Sequence, residues 1–425
     1  MKHDKGGTTS GDCCADGHDA PALQLEDALA RILADVKAVS GVETVPVREA
    51  LGRVLVDDVV SQIDVPAHTN SAMDGYALRG SDLQDDAETR LDMIGVAAAG
   101  RPFNGAVGAG QCVRILTGAP LPQGADTVVM QERVTRENDT VIVGTGQQPG
   151  QHVRQAGEDI ARGAVALPAG SVLLPAALGI LASVGVGEVS VRRRARVAFF
   201  STGDELRRVG EPLEAGQIYD SNGYTIHGML TRAGVEVIDM GLVRDDPTHI
   251  EEAFAEAASR ADAIITSGGV SVGDADYVKD TLDKTGSVGF WRVAMKPGRP
   301  LAFGRIGDAL FFGLPGNPVS AMVTYYQLVQ PALRALAGMP DPGPPLTVTA
   351  VSREGLRKKP GRREFQRGVL TRDADGRLVV SRAGQQGSGV LSSMNAANCF
   401  IVLAEESGPV AEGDEVTVQP FAAFV

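Results

Sequence analysis

Residues 196–206 read RVAFFSTGDEL. An apolar, strand-forming run stops abruptly in a polar loop that carries two adjacent carboxylates, Asp204 and Glu205. A run of that kind, too short for a helix and ending in Gly and Asp, predicts a buried strand that delivers its loop to an edge of a sheet. The same rhythm continues downstream. Residues 221–233 read as a helix and VEVIDMGLV (235–243) as a strand. RDDPTHIEEAFAEAA follows as a loop and helix, with Asp246 placed to cap, Pro247 suited to the first turn, and Ile250, Ala253, Phe254, Ala257 and Ala258 on one apolar face. ADAIITSGG is a strand running into glycines, and DALFFGLPGNPVSAMVTYYQLVQPAL a strand, loop and helix. Alternation of this kind predicts a doubly wound α/β domain over 193–338 with a mostly parallel sheet. Its ligands belong beyond the carboxyl ends of the strands, at the loops after Phe200, Val243, Thr266 and Gly313.

The flanking segments have other periods. In residues 25–39, Leu25, Leu29, Ile32, Leu33 and Val36 recur at helical spacing after Pro21. Between Val42 and Val143 the apolar runs are short and β-branched, as in CVRIL and TVIVG, with Gly or Asn turns between them. Residues 162–191 read as a connector and a helix. Beyond the Pro-rich stretch MPDPGPP (339–345), strand-like runs return to form a small all-β domain over 346–425.

The chain has 425 residues and a formal net charge of −13. That length predicts several domains of about 100–200 residues each. The acidic balance argues against non-specific nucleic-acid binding, so cationic contacts to any anionic ligand must be local. Residues 1–20 are polar and Gly-rich, contain no apolar run of signal-peptide type, and read as a disordered tail. No segment approaches the about 20 apolar residues of a membrane span. A cytoplasmic protein without membrane contact is expected. The cysteines, Cys13, Cys14, Cys112 and Cys399, form no C-x-x-C pair, so neither a zinc site nor a disulfide framework is indicated.

Chemistry concentrates in the polar loops. STGDEL and VRDDP present Asp204, Glu205, Asp245 and Asp246. SGGVSVGDADY (267–277) joins a glycine pair to hydroxyls and acids, and its amides suit an anion. LPGNPVS opens a helix whose first amides favour anions. MKPGRP (295–300) holds Lys296 and Arg299 on a loop stiffened by Pro and Gly. Singly, each is an ordinary turn or cap. Together they combine hard oxygen ligands for magnesium with cations for a small oxyanion. No P-loop or G-x-S-x-G elbow is present. A magnesium phosphohydrolase or adenylyltransferase built on the α/β segment alone would leave NSAMDGYA (70–77) and the C-terminal domain unexplained, and the complete set of polar loops argues against a non-catalytic scaffold.

NSAMDGYA, RILTGA, GEDI, STGDEL, IYDSN, SGGVSVGDADY, MKPGRP and LPGNPVS, in this order from about Leu25 to the C-terminus, resemble the motifs of the molybdopterin molybdenumtransferases, the family of bacterial MoeA and the C-terminal domain of gephyrin. The resemblance implies a multidomain α/β plus β architecture: an elongated domain from 21–45 and 163–192, an inserted β-rich domain (46–162), the molybdopterin-binding, MogA-like α/β domain, and a C-terminal small β-barrel. It implies insertion of molybdenum from molybdate into the dithiolene of adenylyl-molybdopterin, with AMP released and magnesium required. Asp74, Thr117, Asp159, Glu205, Asp245 and Asp276 match the family's activity-linked positions, with Glu205, Asp245 and Asp276 as metal ligands. Ser267, Gly268, Gly269, Ser271, Gly273, Pro315, Gly316, Asn317 and Pro318 match its substrate loops. Lys296, Arg299, Pro300, Ser320, Arg362, Arg367 and Ser388 match its molybdate pocket. Arg299 stands where the family usually has lysine, keeping the charge and changing the donor geometry. His68 stands where an aromatic is usual and reads as a surface change. The resemblance also implies a homodimer whose active site is shared between subunits, with a MogA-type adenylyltransferase and molybdoenzyme chaperones as further partners.

Deleting residues 1–20 is expected to change neither melting temperature nor activity, because the tail has no apolar surface to bury. A melting temperature lowered by several degrees would show that Cys13, Cys14 or His18 holds something structural.

Overall fold

The computed structural model describes residues 22–268, 286–340 and 345–421. By its contacts the chain divides into two compact units, Thr44–Val191 and the remainder.

The larger unit is organised by a six-stranded sheet in the order Glu236–Val243, Arg196–Thr202, Ala263–Ser267, Ala309–Leu314, Pro300–Ile306, Gly286–Arg292. The first four strands are mutually parallel. Their side chains alternate between two cores. Phe199, Ile265 and Phe312 pack with Ile226, Met229 and Leu230 of the helix Ser221–Arg232. Ala198, Phe200, Ile264 and Phe311 pack with Ile250, Phe254 and Ala257 of the helix Pro247–Arg260. Burial on both faces accounts for the unbroken apolar runs. Asp246 caps the second helix as expected, accepting from the amides of Thr248 and His249 at 3.0 and 3.2 Å. The last two strands are antiparallel. No local pattern announces this pair, because its Gly- and Arg-containing runs show no clean alternation.

The helix Leu25–Asp35 stops short of the segment that carried its periodicity. Val36 turns extended, and the Val39 amide donates instead to the Leu336 carbonyl. After LPGNP the chain runs as a helix over Pro318–Thr324, a π-turn over Tyr325–Val329 and a helix over Gln330–Leu336. Pro331 lacks an amide hydrogen and its ring crowds the carbonyl one turn back, which favours a widened turn just before it. The C-terminal strands close a five-stranded barrel: Arg363–Arg372, Leu378–Arg382, Val348–Ser352, Glu415–Pro420 and Cys399–Leu403, the last returning to the first. Met295–Lys296 adds a short parallel strand beside Arg363 and Glu364.

The smaller unit carries a second six-stranded sheet, ordered Thr127–Met130, Gly75–Leu78, Gln111–Ile115, Thr89–Ala97, Thr140–Val143, Val134–Glu137. The segment 163–192, including the helix Pro175–Ser183, lies largely in this unit and buries Leu167, Leu181 and Val191 against Ala50 and Leu55. Gly75 opens a strand that is paired on both sides. A Cβ there would lie 2.1 Å from the Val129 carbonyl oxygen. Gly75→Ala is therefore expected to destabilise this unit by about 2–4 kcal/mol, read from denaturant unfolding. An unchanged midpoint would show that the strand can shift to make room.

Candidate functional site

Three groups of side chains emerge from this framework, two in the larger unit and one in the smaller.

The first is a cationic cavity of about 560 Å³. Lys296, Arg299, Arg357, Arg362, Arg367 and Arg382 line it, with Pro300, Pro315, Asn317, Ser320 and Ser388. Gly298 lets the MKPGRP loop pass: its φ is +97°, and a Cβ would lie 2.6 Å from Thr324 Oγ1. Arg367 is 1% exposed. Its Nε donates to Ser393 Oγ at 3.1 Å, and its Nη2 to the carbonyls of Gly387 and Gln385 at 3.0 and 3.2 Å. Every one of these acceptors is neutral, and burial pulls the guanidinium pKa down. Arg382 is held by Glu354, and Lys296 Nζ lies 3.2 Å from Glu364 Oε1. Arg299, Arg357, Arg362 and Arg367 form no ion pair among the described residues. The remaining arginine of GRREFQR, Arg363, is committed elsewhere, to Glu26 and Glu405. The amide of Val319, expected to face an anion, instead donates to the Ser388 carbonyl at 3.0 Å.

The second group is acidic. Asp204, Asp245 and Asp246 line a smaller cavity of about 360 Å³ with Arg207 and Arg244. Burial, reinforced by the neighbouring Asp204 and Glu205, pushes the Asp245 pKa up against a weaker bond from Thr202. Asp246 is held below the usual range by His249, whose Nδ1 lies 3.0 Å away, and by the helix amides. Asp204, Glu205 and Asp245 offer oxygen ligands of the hard type that magnesium prefers. Asp276, expected to complete it, lies outside the described residues, as do Gly269, Ser271 and Gly273. Among the described residues no three acids are gathered closely enough to hold a metal by themselves.

Between these groups the motif loops interlock. Gly268 has φ +91°, and a Cβ on it would lie 2.3 Å from the Thr202 carbonyl oxygen. Asn222, 8% exposed, donates through Nδ2 to Ser267 Oγ and to the Gly316 carbonyl, each at 2.7 Å. It thereby ties IYDSN to the loops at Ser267 and Pro315–Pro318. Asp220 caps the same helix and accepts from Ser201 Oγ at 3.1 Å. Sequence reasoning passed over Asn222 as a site residue. The available signal was its position just past a capping Asp, at the start of a helix following a strand.

The third group lies in the smaller unit. Asp74 Oδ1 accepts from both the amide and the hydroxyl of Thr117, at 2.7 and 2.8 Å. Those two bonds hold the carboxyl below its ordinary pKa, with Arg114 adding to the effect. Arg114 also sits 5.2 Å over the Tyr76 ring. Asp159 is exposed, and no side-chain bond joins it to Asp74 or Thr117 among the described residues.

Three family models match the chain. Residues 23–185 match the MoeA N-terminal region (domain I and II), 198–335 a probable molybdopterin binding domain, and 349–421 the MoeA C-terminal region (domain IV). The chain is 45% identical over 400 residues to a molybdopterin molybdenumtransferase of Haemophilus influenzae, covering 94% of this chain and 98% of that one. It is 32% identical over 426 residues to gephyrin of Dictyostelium discoideum, covering 88% and 58%. Among solved structures, the molybdopterin biosynthesis MoeA protein of Pyrococcus horikoshii OT3 matches with TM-score 0.80 and 29% identity, covering 94% of this chain and all of that one.

Thr117→Val, which removes the hydroxyl donor and keeps the amide, is expected to move the Asp74 carboxyl part of the way back to its ordinary pKa. A carboxyl-carbon NMR titration reads this directly. Because the folded pKa is depressed, the associated stability is present above the unfolded value and is lost as pH falls through the folded one. The variant should lose it at a higher pH than the wild type.

Proposed function

Because the chain belongs to the MoeA family of molybdopterin molybdenumtransferases, enzymes of molybdenum cofactor biosynthesis that insert molybdenum, we propose that its cationic cavity receives molybdate. The acceptor is the dithiolene of adenylyl-molybdopterin, and AMP is the leaving product. The observation that carries this reading is Arg367, a buried guanidinium met only by neutral acceptors. A buried charge without a counter-ion is strongly unfavourable, and a small dianion between Arg367 and the unpaired Arg299 and Arg362 would supply one. Ser320 and Ser388 add polar groups to the wall, and Pro300 stiffens it.

The substrate's pterin is assigned to the loops at Ser267–Gly268 and Pro315–Pro318, which Asn222 holds together. Glu205 and Asp245 would hold magnesium, which when bound screens the phosphate charge that grows as AMP leaves. Since Asp245 holds its proton unusually well, occupancy by a cation should strengthen as pH rises. Asp74, Thr117 and Asp159 are assigned to activity in a homodimer that shares its site between subunits. No described helix is long and apolar enough to cross a membrane. A cytoplasmic enzyme exchanging ligands with a MogA-type adenylyltransferase and molybdoenzyme chaperones fits this reading.

Lys296→Ala should raise the molybdate concentration for half-maximal activity roughly tenfold, the order expected of one charge-assisted contact, and leave pterin affinity nearly unchanged. Calorimetry showing equal weakening of both ligands would remove Lys296 from the oxyanion site.

Asp74→Asn and Glu205→Gln, each inactive alone, test the shared site by co-expression. With random pairing half the dimers are mixed, and a shared site leaves one intact centre in each. About a quarter of wild-type activity should return. A well-folded mixed dimer without activity would place Asp74 in its own subunit's site or in none.

A further inference from the structure

One carboxylate lies in the wall of the cationic cavity, where an oxyanion pocket would not be expected to keep it. Glu364 is buried, its side chain 6% exposed. Its Oε1 lies 3.2 Å from Lys296 Nζ, and its Oε2 accepts from Gln366 Nε2 at 3.2 Å. Gln366 Nε2 also donates to the Arg357 carbonyl at 2.9 Å, which fixes that amide. Lys296 and Glu364 are partners in the short parallel pairing that joins the MKPGRP loop to the barrel. Lys296 is the only lysine lining the cavity among the described residues.

We propose that Glu364 is an internal counter-anion, competing with the substrate oxyanion for the ammonium of Lys296 and so keeping molybdate bound loosely enough to be handed on. The inference rests on reading this cavity as the molybdate site, and it adds a residue that sets affinity there. The two partners differ in freedom. The carboxylate is enclosed and held on both oxygens, whereas the Lys296 side chain is 52% exposed on a flexible four-carbon stem. The ammonium can therefore turn from the carboxylate to an entering anion, and the carboxylate cannot follow. Molybdate at neutral pH is a dianion without a proton, so it offers Glu364 no hydrogen bond. Glu364 acts on it only by repulsion and by drawing Lys296 back. An oxyanion held at full strength by every cation in the wall would be stabilised as a ground state, and such binding does not speed its transfer.

Glu364→Gln keeps the size and one acceptor for Lys296 but removes the charge. Titration calorimetry of the full-length protein with sodium molybdate should show binding on the order of tenfold tighter than wild type. The molybdate concentration for half-maximal insertion should fall, with no rise in maximal rate. Glu364→Asp, which keeps the charge, should stay close to wild type. A Glu364→Gln protein that folds, by melting temperature, yet binds molybdate equally or more weakly would make Glu364 a strut and overturn the proposal. So would an aspartate variant as tight as the glutamine one. If Glu364→Gln does not fold, the comparison passes to Lys296→Met against Lys296→Met/Glu364→Gln. The double variant should bind more tightly, because it no longer leaves an unpaired carboxylate in the pocket, and equal affinity overturns the proposal. Failure of the underlying reading looks different: Arg367→Met and Lys296→Met would then leave wild-type molybdate affinity untouched, overturning both.

Discussion

Burial of the strand Arg196–Thr202 on both faces is the constraint from which the rest of the larger unit follows. Phe199 commits one face to the helix Ser221–Arg232, and Phe200 commits the other to Pro247–Arg260. Neither face can carry an unpartnered polar group at tolerable cost, so polar residues are driven to the strand ends. Because four neighbouring strands of the sheet run parallel, the loops after Thr202, Val243, Ser267 and Leu314 all leave from the same edge. The close approach of Gly268 to the Thr202 carbonyl and the bridging amide of Asn222 then draw those loops together.

Charge is sorted along that edge and away from it. At one cavity, burial and the charges of Asp204 and Glu205 raise the proton affinity of Asp245. A separate cavity, walled partly by the barrel, collects five arginines, of which Arg299, Arg357, Arg362 and Arg367 have no acidic partner among the described residues. Nothing in a net charge of −13 suggests such a pocket. Of the nearby acids, Glu354 is committed to Arg382 in the wall, and Glu26 and Glu405 to Arg363 outside it. Among the described residues Glu364 is the one acid lining this cationic cavity, held against Lys296.

Much of this was legible beforehand. The strands of the parallel sheet, the capped helix after Asp246, the barrel strands and the family motifs are local patterns, written in periodicity, capping residues and glycines. What escaped reading depended on partners distant in sequence. The first helix ends at Asp35 because the Val39 amide finds Leu336, which no local pattern announces. The antiparallel pair Gly286–Arg292 and Pro300–Ile306 is stabilised by its neighbours in the sheet and not by alternation of its own. Of the arginines in GRREFQR, the motif could not say which was free. The ion pairs of Arg363 to Glu26 and Glu405 set it apart from Arg362 and Arg367.

The sequence by itself determined the fold class and the family, and marked the loops that carry the charged residues, because backbone propensity and side-chain period are properties of neighbouring residues. The tertiary structure decided which charges are paired and which are left over. It alone shows Arg367 buried among neutral acceptors, Asp74 held by Thr117, and Glu364 set against Lys296. The physical reason is that the energy of a charge depends on burial and on groups a few ångströms away, and such neighbours come together only when the chain has folded.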